Sequence, residues 1–179
     1  MGNGLGNHPD LAPVAADMRA EWRAETEQAT ADAAAQWRHQ RTLHDWLTER
    51  QHAGDRIAIT IHQQRFAGLV SQMGPDLIVL QAVFGRVDIH LTPGLSFFIE
   101  LVDHATHGGE RADTQMTFRD ALALRDGQPN TTVGTIHDPE GVDGTLYVGR
   151  DFVSVVAKLG AETVIPLPYV SWCSGTRTL

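Results

Sequence analysis

The chain has 179 residues, 42% of them hydrophobic and 20% charged, a globular composition sufficient for one ordinary domain or two very small ones. Its 22 acidic and 14 basic residues give a formal net charge of −8, which argues against a free-standing nucleic-acid binder that relies on phosphate neutralisation. A single cysteine, Cys173, excludes an intrachain disulfide and a cysteine-based zinc site, and no apolar run approaches the ~20 residues that span a bilayer.

Residues 1–13 are rich in Gly, Asn and Pro and read as a flexible tail. They lack a basic segment followed by an apolar core, so no signal peptide is expected and the expected location is cytoplasmic. Residues 14–52 change to Ala, Glu, Gln, Arg and Trp, without Gly or Pro, and are read as a helical segment. Met18, Trp22, Ala29, Ala33, Trp37, Leu43 and Leu47 form one apolar stripe. The segment is one long helix or two, with a break near Thr30 or Gln40. The stripe is expected to be buried, either within the chain or against another chain. Gly54 closes the helix.

Residues 53–102 follow a β pattern. Ile57, Ile59 and Ile61 alternate with Arg56, Ala58, Thr60 and His62, and a hairpin turn is expected at Gln63-Gln64. Further strands are expected at Phe66 to Val70, bent at Gly68, at Leu77 to Leu80, at Arg86 to Leu91, and at Leu95 to Val102. Residues 103–116 are polar and read as a linker. Residues 117–173 open on a short helix, Thr117 to Arg125, and continue into a second β stretch; residues 174–179 read as a tail.

The two β stretches share a pattern. Gly68, Gly74, Asp76, the run Leu77 to Leu80, and Gly85 are matched by Gly144, Gly149, Asp151, the run Phe152 to Val156, and Gly160. The Asp-to-Gly separation, Asp76 to Gly85 and Asp151 to Gly160, is the same in both. Short bent strands with Gly at the bends, preceded by a helix, are the pattern of a small closed β-barrel, which removes its own edges.

Leu43, Trp46 and Leu47 at a helix end, Ile57-x-Ile59-x-Ile61, Phe66-x-Gly68-x-Val70 and Asp76-x-Ile78-x-Leu80 together resemble the Sm/LSm family of small SH3-like barrels. Residues 118–172 look like a degenerate second copy. The helix followed by Gly-Asp-Arg-Ile is also similar to actinobacterial proteins of the same layout, a likeness that implies no activity. The family resemblance implies a mainly β fold with an N-terminal α-helical segment and tandem small SH3/Sm-like barrels, a ring-forming oligomer, and RNA contacts near Asp76 and Arg86. The Asn that follows the Asp in that family is absent here, where Leu77 and Ile78 follow, and Gly85-Arg86 reverses the family's Arg-Gly order.

The chemical candidates are few. Asp103, His104, His107 and Glu110 include metal-competent side chains, but they lie on a Gly-rich linker and read as solvated. The acidic turn from Asp138 to Gly144 has Val142 where a calcium loop needs oxygen. Cys173 has no sequence-adjacent base, and its thiol is expected to be inert. No nucleophile elbow, phosphate-binding loop or dinucleotide fingerprint occurs. No metal or cofactor is therefore expected, nor an enzyme. Trp22, Trp37 and Trp46 are candidate interface anchors, with base stacking the sharper alternative. Arg56, Arg65, Asp76 and Arg86 are the candidate nucleic-acid contacts. The expected function is a non-enzymatic interaction or self-assembly module with a protein partner or a second copy; the alternative is an Sm-like nucleic-acid-associated regulator. No membrane association is expected.

Overall fold

A computed structural model describes residues 11–91, 95–106, 108–109, 115–138 and 140–175. The chain divides into two units, residues 1–42 and 43–179. In the first, helix α1 spans Leu11–Gln40. Its run of Ala, Glu, Gln and Arg favours a helix whatever its packing. Within this chain Met18, Trp22 and Trp37 of its stripe are exposed, while Leu47, on the next helix, is fully buried. Among the described residues no helix is long and apolar enough to cross a membrane.

The second unit opens with helix α2, Leu43–Ala53. Gly54, at φ +75°, ends it with two reverse bonds, Gly54 N–H to Gln51 C=O and Asp55 N–H to Arg50 C=O. That pair is the Schellman arrangement, which favours glycine at the left-handed position. Five strands follow: β1 (Arg56–Ile61), β2 (Gln64–Met73), β3 (Leu77–Ala82), β4 (Gly85–His90) and β5 (Phe97–Asp103). Helix α3 (Phe118–Ala123) precedes five more: β6 (Thr131–Thr135), β7 (Val142–Val148), β8 (Phe152–Val156), β9 (Glu162–Pro166) and β10 (Val170–Gly175). A 3-10 turn, Leu167–Tyr169, joins the last two.

The ten strands form one antiparallel sheet in the order β5-β1-β2-β3-β4-β10-β6-β7-β8-β9. The fold is therefore mainly β behind an N-terminal helix, but the sheet is not closed into two cylinders. The physical reason is the pairing of β4 with β10, which spends an edge on the other half of the chain rather than on closure. Among the described residues two ends remain, β5 and β9.

Two apolar cores result. The first gathers Leu47 of α2, Ile57, Ile59 and Ile61, Phe66, Ile78, Leu80, Val87 and Ile89, with Trp172 of β10 entering from the far half. The second gathers Phe118, Ala121 and Leu122 of α3 with Val133, Leu146, Val153, Val155, Ile165 and Cys173, and with Leu77 and Val79. Strand β3 is thus buried on both faces: Ile78 and Leu80 serve the first core, Leu77 and Val79 the second. A strand buried on both sides reads as a continuous apolar run, as Leu77 to Leu80 does.

Corresponding positions of the two halves make the same backbone contacts. Gly74 N–H bonds Leu77 C=O and Gly149 N–H bonds Phe152 C=O, both at 2.9 Å. Leu91 N–H bonds Asp76 C=O, and Leu167 N–H bonds Asp151 C=O. A Cβ on Gly68 would sit 2.4 Å from the carbonyl oxygen of Gln81, and one on Gly144 at 2.4 Å from that of Val156. Both glycines are needed for close approach to the next strand.

Candidate functional site

The candidate nucleic-acid residues lie on β1, β2, β4 and just ahead of β3. Arg56 is exposed at the start of β1 and lies opposite Asp103 in the ladder. Arg65 is paired with Glu100 at 3.2 Å. Arg86 Nε lies 2.6 Å from Asp88 Oδ1. Asp76 is an anchor between the halves: its Oδ1 accepts the N–H of Phe118 at 2.8 Å, at the start of α3. His90 stacks on the Phe118 ring at 4.5 Å, and its Nδ1 lies 2.9 Å from Val170 C=O. These contacts tie β3 and β4 to α3 and to the start of β10.

A buried charge cluster sits at the same junction. Asp88 is fully buried on β4, and its Oδ2 accepts from Arg125 Nε at 2.6 Å. Arg125 also donates to the Arg86 carbonyl at 3.1 Å. Cys173, opposite Asp88 in the β4·β10 ladder, is fully buried. Burial pushes its thiol up to about 12, with Asp88 adding to the rise and Arg125 and Arg86 opposing it. A thiol so placed is protonated at neutral pH and is no nucleophile. Sequence reading missed Asp88 and Arg125; the available signal is an acid inside the strand Val87-Asp88-Ile89.

His104 of the linker is engaged with Asp55, at 3.5 Å. Asp55, 2% exposed, also holds Arg50 Nη1 at 2.8 Å and accepts the Ala105 N–H at 2.9 Å. Burial alone would raise its carboxyl, but the Ala105 N–H, Arg50 and His104 outweigh that and hold it below the ordinary aspartate value. His107 and Glu110 lie outside the described residues. Among the described residues no group of three His, Cys, Asp or Glu side chains is arranged to hold a metal.

The tryptophans separate. Trp22 and Trp37 are 75% and 52% exposed on α1, with the Arg41 guanidinium 4.7 Å above the Trp37 ring. Trp46 packs partly buried against the first core, where Arg50 covers it at 5.6 Å. An open groove of about 880 Å³ is lined by Thr132, Asp143, Thr145, Lys158 and Leu159. Asp143 in it is hydrogen-bonded by Thr132.

The two sheet ends carry the most distinctive surface. Among the described residues strand β5 pairs only with β1, and β9 only with β8. On β5, Phe98 is 72% exposed, and Leu101 and Val102 are exposed beside it. On β9, Val164 is 57% exposed. Edge strands with exposed apolar side chains and unpaired backbone groups are templates for pairing with another chain. Comparison with protein-family models, curated proteins and solved structures finds no match.

Proposed function

We propose that this protein is a non-enzymatic interaction module of the small-barrel kind, two five-stranded halves each wrapped round its own core, that works by adding a strand at its sheet edges. The observation that carries this reading is the pair of free edges, β5 and β9, with Phe98 and Val164 exposed on them. Support also comes from how the polar groups are used. Arg65, Arg86, Asp76, Asp55 and Asp88 are engaged in contacts that hold the fold, not gathered in a cleft. The Sm-like nucleic-acid reading has less support, because Arg65 and Arg86 already face carboxylates and the chain is acidic overall.

The test is capture by the tagged full chain from native lysate, with and without nuclease. A protein partner, or the chain itself, is expected to stay bound after nuclease treatment. Capture that disappears with nuclease, with nucleic acid copurifying, overturns the proposal in favour of the nucleic-acid reading.

A further inference from the structure

We infer that helix α1 is one half of a parallel two-helix coil whose other half is α1 of a second copy, aligned in register, with Trp22 and Trp37 as its anchors. The sheet edges take no part in this contact, so it stands apart from the interaction-module reading.

Helix α1 has 30 residues, and every described side chain from 16 to 40 is exposed except the half-buried Ala35. Helices of globular proteins owe most of their stability to an apolar face packed on a neighbour. Such a face is present. At 100° per residue, Met18, Trp22, Thr26, Ala29, Ala33 and Trp37 fall within a sector of about 100°. They repeat at a spacing of eleven: Met18 to Ala29, Trp22 to Ala33 and Thr26 to Trp37. An eleven-residue repeat, about 3.67 residues per turn, keeps its seam on one side of a nearly straight helix. The polar member of the seam is already satisfied, because Thr26 Oγ1 donates to the Trp22 carbonyl at 2.7 Å.

The flanks of the seam determine what covers it. Arg19 and Arg23 lie along one side, and Glu21, Glu25 and Asp32 along the other. Facing helices that run parallel set unlike flanks together, whereas antiparallel copies set each flank against itself; flanking charges therefore choose the orientation. A parallel pair brings Arg19 and Arg23 of each copy to Glu21 and Glu25 of the other, on both sides of the seam. An antiparallel pair would bring acid flank to acid flank. In the lone helix, Arg19 stands four residues from Arg23 and Glu21 four from Glu25, a spacing unfavourable for like charges. The parallel register offsets that repulsion.

A second copy fits the seam in size as well. In register, Ala29 and Ala33 meet their own counterparts, and small side chains let the two backbones approach. A Trp22 pair and a Trp37 pair bracket this narrow stretch and cover the largest exposed apolar surface of the helix. The contact is isologous and closes at two chains.

Light scattering on the full chain after size exclusion tests this, in a Phe98→Glu background that removes the exposed anchor of β5. The expected mass is twice the 19.6 kDa of one chain. Trp22→Glu with Trp37→Glu keeps good helix formers in place and is expected to weaken association at least ~30-fold, returning the mass of one chain. Arg19→Glu with Arg23→Glu makes both flanks acidic and is expected to weaken association as well; adding Glu21→Arg and Glu25→Arg restores it. Circular dichroism checks that the sheet stays folded in each variant. Orientation is read from single substitutions: Met18→Cys and Ala33→Cys, each alone, are expected to cross-link chain to chain under mild oxidation. Each meets its own counterpart in a parallel pair, and no antiparallel register allows both. A monomer at all concentrations, a mass unchanged in the tryptophan variant, no rescue by the charge exchange, or cross-linking at fewer than both positions overturns the inference. A monomer that still captures a nuclease-resistant partner overturns the coil alone and leaves the interaction-module reading in place.

Discussion

Asp88 shows how far a local pattern reaches. In an alternating strand an acid between two aliphatics is assigned to water. Here α3 and β10 are packed against β4, so the outer face is interior, and the carboxylate is tolerated only because Arg125 and Arg86 meet it. Removing one member of a buried pair leaves the other charge uncompensated, at a cost of about 3–5 kcal/mol. Asp88→Ala is expected to lower stability by that amount in urea denaturation; a loss under ~1 kcal/mol would show the cluster to be incidental. Asp55 gives a pH dependence. Its folded-state pKa is depressed, so its contribution is complete above the unfolded carboxylate value and is lost as pH falls through the folded one. Asp55→Asn is expected to reduce stability at neutral pH and to flatten the acid limb below about pH 4. Equal slopes in both proteins would contradict the assignment. The Gly54-Asp55 step was legible as a helix end; the partners of Asp55 lie across the chain at Ala105 and His104, beyond what spacing reveals.

At the scale of elements, the sequence was most informative where the chemistry is local. Alternation of Ile57, Ile59 and Ile61 places β1, and the close strand approaches at Gly68 and Gly144 follow from missing side chains. Gly68→Ala and Gly144→Ala each drive a methyl group against a backbone carbonyl, which cannot swing away as a side-chain end could. Each is expected to cost about 1–3 kcal/mol, read from thermal or chemical unfolding; neutral substitutions would mean that β2 and β7 do not depend on these contacts. Helix α3 has only six residues and leans on its first turn, where the Thr117 hydroxyl accepts the Asp120 N–H and the Asp120 carboxylate accepts the Thr117 N–H. Thr117→Ala is expected to cost about 1 kcal/mol. That loss should also loosen the Asp76 contact to Phe118, visible as faster hydrogen exchange at the Phe118 amide.

For the whole molecule, the strands of the first half could be placed from residues, whereas those of the second half were read only as one β stretch, and closure could not be read at all. Whether β4 turns back on its own half or reaches β10 depends on which edge is nearer and better matched, a long-range choice that leaves no periodic trace. The outcome converts an expected pair of sealed cylinders into one open antiparallel sheet. The apolar exposure of Phe98 and Val164, ordinary in a list of residues, acquires meaning only from their places on the two end strands. Amide hydrogen exchange along β5 and β9, in the chain alone and with its captured partner bound, tests this most directly. Outward-facing amides of β5 or β9 are expected to gain protection on binding, approaching that of the β4·β10 junction, and those of β5 to lose it in Phe98→Glu. Fast exchange at those amides that does not change on binding would contradict the account.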